Sequence, residues 1–84
     1  MKWEEVREKY HDKWILFEAV EAHSEKGKRK VDNISILNIF DDSSEATKNY
    51  RKIHKKDPHR ELYIAHTQKD KLEIEERKWM GIRV

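Results

Sequence analysis

Cysteine is absent from this 84-residue chain, proline occurs once (Pro58), and glycine occurs only at Gly27 and Gly81. Each scarcity excludes something. Without cysteine there is no disulfide framework, no thiol nucleophile and no Cys-ligated zinc, and the expected compartment is a reducing one. Two glycines cannot build a glycine-rich phosphate loop. No uninterrupted apolar run exceeds four residues, Trp14–Phe17 being one such run, which is too short to span a bilayer. No charged stretch followed by an apolar run marks a signal peptide, so the expected location is cytoplasmic and no membrane association is expected.

Charge is abundant instead. Asp, Glu, Lys and Arg make up 43% of the chain against 36% hydrophobic residues, a balance that borders on disorder. The apolar residues are nevertheless clustered and periodic and the two signs of charge are mixed, so the sequence predicts a folded domain with a very polar surface. At this length it is a single domain, residues 1–84, with a small core and modest stability, on the order of 4–12 kcal/mol.

The net charge of +2 conceals an uneven distribution. Residues 26–60 hold ten basic side chains against five acids, whereas residues 1–25 are acidic on balance and residues 61–84 are even. A local field of this kind attracts an anionic partner more than net charge does.

Periodicity gives an order α-β-β-α-β-β. Trp3, Val6 and Tyr10 form one stripe of a short helix over 2–10. A strand is predicted from Trp14 to His23. Trp14, Leu16, Val20 and Ala22 point one way, with Glu18 interrupting them, and Ile15, Phe17 and Ala19 point the other. A polar connection, Ser24–Lys30, contains Gly27 and has hairpin character. The second strand, Val31 to Phe40, places Ile34, Ile36 and Phe40 on one face and Leu37 and Ile39 on the other. Asp42 with Glu45 three residues on has the spacing of a helix cap, as Ser43 and Ser44 also could; Ala46, Tyr50 and Ile53 then give an inward stripe, and Asp57-Pro58 ends the helix. A third strand is predicted over 60–67. Leu72 and Ile74 continue as strand or irregular arm, and a last strand is predicted over 78–84. The expected fold is α+β, an antiparallel sheet of three to four strands with the helices packed on one face.

Three constellations bear on function. The first is basic: Lys26, Lys28, Arg29 and Lys30 at the hairpin, followed by Lys48, Arg51 and Lys52 on the second helix, are the candidate contacts for nucleic acid or another polyanion. Read from sequence, Lys48, Lys52, Lys55 and Lys56 spread over more than one exposed face, and no aromatic residues interleave with the basic loop to stack bases. The second is acid–base. Glu18 in an apolar strand face would have a raised pKa and act as an acid or base if partly buried; otherwise it marks where the strand emerges into solvent or pairs with a lysine, and His23 lies two residues from Glu21 on one strand face. The third is aromatic: Trp3, Trp14 and Trp79 are many for this length, and Trp79 is the candidate interface anchor. The histidines lack metal-ligand spacing, no nucleophile–base–orienter set can be assembled, and no cofactor or metal is expected.

The run Lys2-Trp3-Glu4-Glu5-Val6, with Tyr10 and the strand Trp14-Ile15-Leu16-Phe17-Glu18, resembles the opening of short uncharacterised bacterial proteins. These begin with a tryptophan-containing helix, a Tyr-Pro turn and a Trp-(Val/Ile)-Leu-x-Glu strand; His11 stands here in place of the proline. The resemblance covers about the first quarter of the chain and implies a small bacterial cytoplasmic protein, with no functional residues to transfer. The expected function is a non-enzymatic protein–protein interaction module, acting by homodimerisation or through a dedicated protein partner. Polyanion binding through 26–30 and 48–56 is the alternative.

Overall fold

A computed structural model describes residues 1–75. The strand predicted over 78–84, and Trp79 with it, lies outside the described residues. Among the described residues the chain is α+β, with two helices and an antiparallel sheet of three main strands. Helix α1 (Trp3–Lys9) leads into the long hairpin β1 (Trp14–Glu25) and β2 (Lys28–Phe40); α2 (Ser43–Lys56) then precedes β3 (Leu62–His66). A three-residue segment, β4 (Glu73–Glu75), lies along the far side of β2, so the order across the sheet is β3-β1-β2-β4.

Local chemistry explains the element boundaries. The Lys2 amide donates to the Glu5 carboxylate at 2.8 Å as α1 starts, and the Glu45 amide donates to the Asp42 carboxylate at 2.9 Å as α2 starts. Asp42 is therefore the cap, ahead of the two serines. The hairpin closes through Lys26 (φ 50°) and Gly27 (φ 77°), two consecutive left-handed residues as a tight two-residue loop requires. Gly27 adopts that conformation without the strain a side chain would bring.

The two central strands are not regular. Leu16 pairs with Asn38 but Phe17 pairs with Ile36, which leaves Leu37 as an extra residue in β2. Beyond that bulge the alternation flips, so Ile39 joins Ile34 and Ile36 on the same side of the core, rather than Leu37 as expected from strict alternation. A second irregularity skips Val20 in β1 and a third skips Asp32 in β2. Val20, expected inward with Leu16, is 60% exposed as a result.

The helices cover opposite faces of the sheet, not one face as predicted. β1 is apolar on both sides over Ile15, Leu16 and Phe17, all three fully buried, and each side needs its own cover. Trp3 and Val6 of α1 pack with Ile15, Phe17, Ile34, Ala65 and Leu72, and the Trp3 and Phe17 rings lie 6.0 Å apart. Leu16 and its β3 neighbour Ile64 point the other way, toward α2 with its buried Ala46. Residues 67–72 return across the α1 face. The Trp3 indole N–H donates to the Lys69 carbonyl at 2.7 Å, and the Arg7 guanidinium donates to the Thr67 carbonyl at 2.8 Å. Thr67 is buried, and its hydroxyl accepts the Lys13 amide at 3.0 Å.

Candidate interaction surfaces

At the hairpin, most of the predicted basic cluster is already engaged within the chain. Arg29 makes a two-pronged contact with Glu61, at 2.8 Å from Nε and 2.9 Å from Nη2, and the Tyr63 hydroxyl donates to the same carboxylate at 2.7 Å. The Arg29 hydrogen bonds hold the Glu61 carboxyl below the usual carboxylate range, while burial, aided by Glu61, pushes the Tyr63 phenol up to about 12. Lys30 lies 2.9 Å from Glu25, and Lys28 is also engaged. Lys26 stands exposed in the turn.

The acid–base candidates are separated by their partners. Glu18 takes Arg60 at 2.7 Å, so its carboxyl is held low by that hydrogen bond rather than raised by burial. His23 contacts Asp32 at 2.8 Å through Nδ1 and lies 3.8 Å from Glu25 through Nε2, whereas Glu21 accepts from the Asn33 amide at 3.1 Å. The proposed Glu21–His23 pair is thus replaced by two separate contacts. No group of three or more His, Cys, Asp or Glu side chains suited to a metal occurs among the described residues. An open depression of about 650 Å³ lies between α1 and the segment after β3, lined by Glu4, Arg7, Glu8 and His11 among others.

α2 presents the opposite situation. It is a continuous helix from Ser43 to Lys56, so successive residues turn by about 100°. On that wheel Arg51, Lys55, Lys48, Lys52 and Lys56 follow one another at intervals of about 20–40° and fill one arc of about 140°. The arc is centred opposite Ala46, Tyr50 and Ile53, which face the sheet. The sequence reading that scattered these cations over several faces is therefore corrected: they form one face. All five are exposed, and none makes an ion pair with a described residue. Arg29 lies on the other side of the sheet, with Tyr63 and Val31, so it does not extend this face.

The second open surface is the edge of β3. The Thr67 amide bonds the Lys13 carbonyl and the Ala19 amide bonds the Glu61 carbonyl, each at 2.9 Å. Counting between those two bonds, Tyr63 and Ala65 aim their backbone at β1, while Leu62 and Ile64 aim theirs outward. The outward amides and carbonyls of Leu62 and Ile64 have no partner among the described residues. Leu62-Tyr63-Ile64-Ala65-His66 contains no Lys, Arg, Asp, Glu or Pro and its register with β1 is unbroken. Apolar clefts flank it, one of about 290 Å³ reaching Trp14 and Leu72 and one of about 210 Å³ beside Tyr50.

Sequence inspection did not single out the edge of β3, because edge position depends on strand order. The helix arc was within reach of sequence through the 3.6-residue period. No helix among the described residues is long and apolar enough to cross a membrane. Comparison of the chain with family models, with curated proteins and with solved structures returned no match.

Proposed function

We propose that the chain is a non-enzymatic protein–protein interaction module that self-associates through the edge of β3. The observation that carries this reading is an edge strand whose outward backbone groups at Leu62 and Ile64 are unpartnered among the described residues and which lacks the charges, proline or bulge that ordinarily block edge pairing. Antiparallel pairing of two β3 strands about a two-fold axis satisfies those groups and continues the sheet from one copy into the next. The half-buried Ile64 and Tyr63, with Tyr50 of α2 beside them, supply apolar contact around the new ladder.

Sedimentation across a range of concentrations tests it. The wild-type chain is expected to shift from monomer to dimer, and Ile64→Pro to remain monomeric. That substitution removes an outward N–H and leaves the bonds to β1 in place. A wild-type chain that stays monomeric throughout, or a dimer that Ile64→Pro leaves intact while the variant still melts cooperatively, defeats the proposal.

A further inference from the structure

We propose that the outward face of α2 binds the phosphate backbone of duplex DNA, with the helix lying along the major groove. The inference is independent of self-association through β3.

Three observations lead there. Lys48, Arg51, Lys52, Lys55 and Lys56 form one continuous exposed arc with no internal ion partner among the described residues. The only acid in α2 is Glu45, in its first turn, and Asp57 caps its end, so between them residues 46–56 carry cations and no acid. The apolar side of the helix is turned to the sheet, which leaves nothing greasy on the outward face to enter a bilayer or fill a protein pocket.

The shape of the charged surface favours a duplex. An α-helix with side chains is about 10–12 Å across, which matches a B-form major groove about 12 Å wide. Arg51 and Lys55 stand on one shoulder of the arc, Lys52 and Lys56 on the other, and Lys48 between them. Cations on both shoulders meet phosphates on both walls of a groove, an arrangement a flat acidic surface would not use. A-form RNA has a deep, narrow major groove that does not admit the helix, so duplex RNA is the weaker ligand. Lysines placed this way neutralise phosphates without reading bases, so binding is expected to be indifferent to sequence. Two of the hairpin cations do not contribute: Arg29 is committed to Glu61 and Lys30 to Glu25.

The test is fluorescence anisotropy with a short labelled DNA duplex over a salt series, using the full chain. Five phosphate contacts give a slope of log affinity on log salt of about −4.5, or about a 500-fold loss between about 50 and 200 mM. The pair Lys52→Gln with Lys55→Gln removes two contacts and should bring the slope to about −2.7, or about a 40-fold loss over the same range. A second pair, Lys48→Gln with Lys56→Gln, should give the same change, and glutamine keeps the helix propensity close to that of lysine. Lys26→Gln, at the hairpin turn, should leave the slope unchanged. Parallel titrations use duplex RNA, phosphatidylserine-containing vesicles and polyglutamate, and all three are expected to bind more weakly than duplex DNA. The proposal is overturned by a slope that neither helix pair alters, by an equal loss in Lys26→Gln, or by any of the three competing ligands binding as tightly as DNA.

Discussion

The long hairpin of β1 and β2 has two ends that are held by different physics. At the end near Trp14 and Phe40 the strands are sandwiched between α1 and α2, and Ile15, Leu16 and Phe17 are fully buried. Past Ala19 the same strands run on with little cover, and polar contacts replace the core: Arg29 with Glu61, Lys30 with Glu25, and His23 with Asp32. Two of the three irregularities, at Val20 and Asp32, lie where the two regimes meet. They turn Val20 into solvent and allow a strand pair to change from burying both faces to exposing one. Charge is consequently paired off over most of the hairpin and left over on α2 among the described residues.

The comparison breaks first if the covered end is not the source of stability. Phe17→Ala should cost about 3–5 kcal/mol, enough to bring a chain of this size close to unfolding, and chemical denaturation reads it directly. A loss below about 1 kcal/mol would mean that burial is shared more evenly along the hairpin than the packing implies. Next in size, Thr67→Val removes the acceptor of the Lys13 amide at the base of the sheet and should cost about 1–3 kcal/mol by leaving a backbone donor unpaired.

The polar end is probed by pH. Glu18, Glu25 and Glu61 are held below the ordinary value of 4.5 by their hydrogen bonds to Arg60, Lys30 and Arg29. Folded, they bind protons less readily than unfolded, so their contribution is present above the ordinary carboxylate value and is lost as pH falls through the lowered ones. The melting temperature should be flat from about pH 6 to 9 and decline below about pH 4.5. Glu61→Gln should reduce the acid sensitivity, and an unchanged profile would remove the Arg29–Glu61 contact from the account. On the alkaline side the sign reverses. Tyr63 ionises at about 12 instead of 10, so its neutral, hydrogen-bonded form contributes fully below pH 10 and that contribution disappears as pH rises toward 12. Ultraviolet titration should show one late tyrosine that titrates earlier in Glu61→Gln. The smallest effect is expected at Val20: Val20→Thr should change stability by less than about 0.5 kcal/mol, since the side chain already lies in solvent.

Much of the local structure was legible in the sequence. The stripe Trp3, Val6, Tyr10 placed α1, the Asp42 to Glu45 spacing and the Asp57-Pro58 stop bounded α2, and Gly27 marked the hairpin. These features depend on residues within one or two turns of each other, where backbone stereochemistry and capping act without help from the rest of the chain. Glu18 was legible in part: its interruption of an apolar strand face left a lysine partner as one of three readings. That the cation is Arg60, 42 residues away, was not.

The register was hidden, because a bulge leaves no mark in the hydrophobic pattern except an apparent error in alternation, as at Ile39 and Val20. The pairing of Arg29 with Glu61 was hidden for the same reason, since it depends on β3 coming to lie beside β1. By itself the sequence determined the helices, the hairpin turn and the five cations of α2, all set by short-range geometry. Only the tertiary structure decided that the helices lie on opposite faces and that, among the described residues, β3 is left with an open edge and Arg29 and Lys30 of the hairpin are paired with acids while the cations of α2 are not. Those outcomes turn on which distant segments share a face, and an extended chain does not define its faces until the strands have paired.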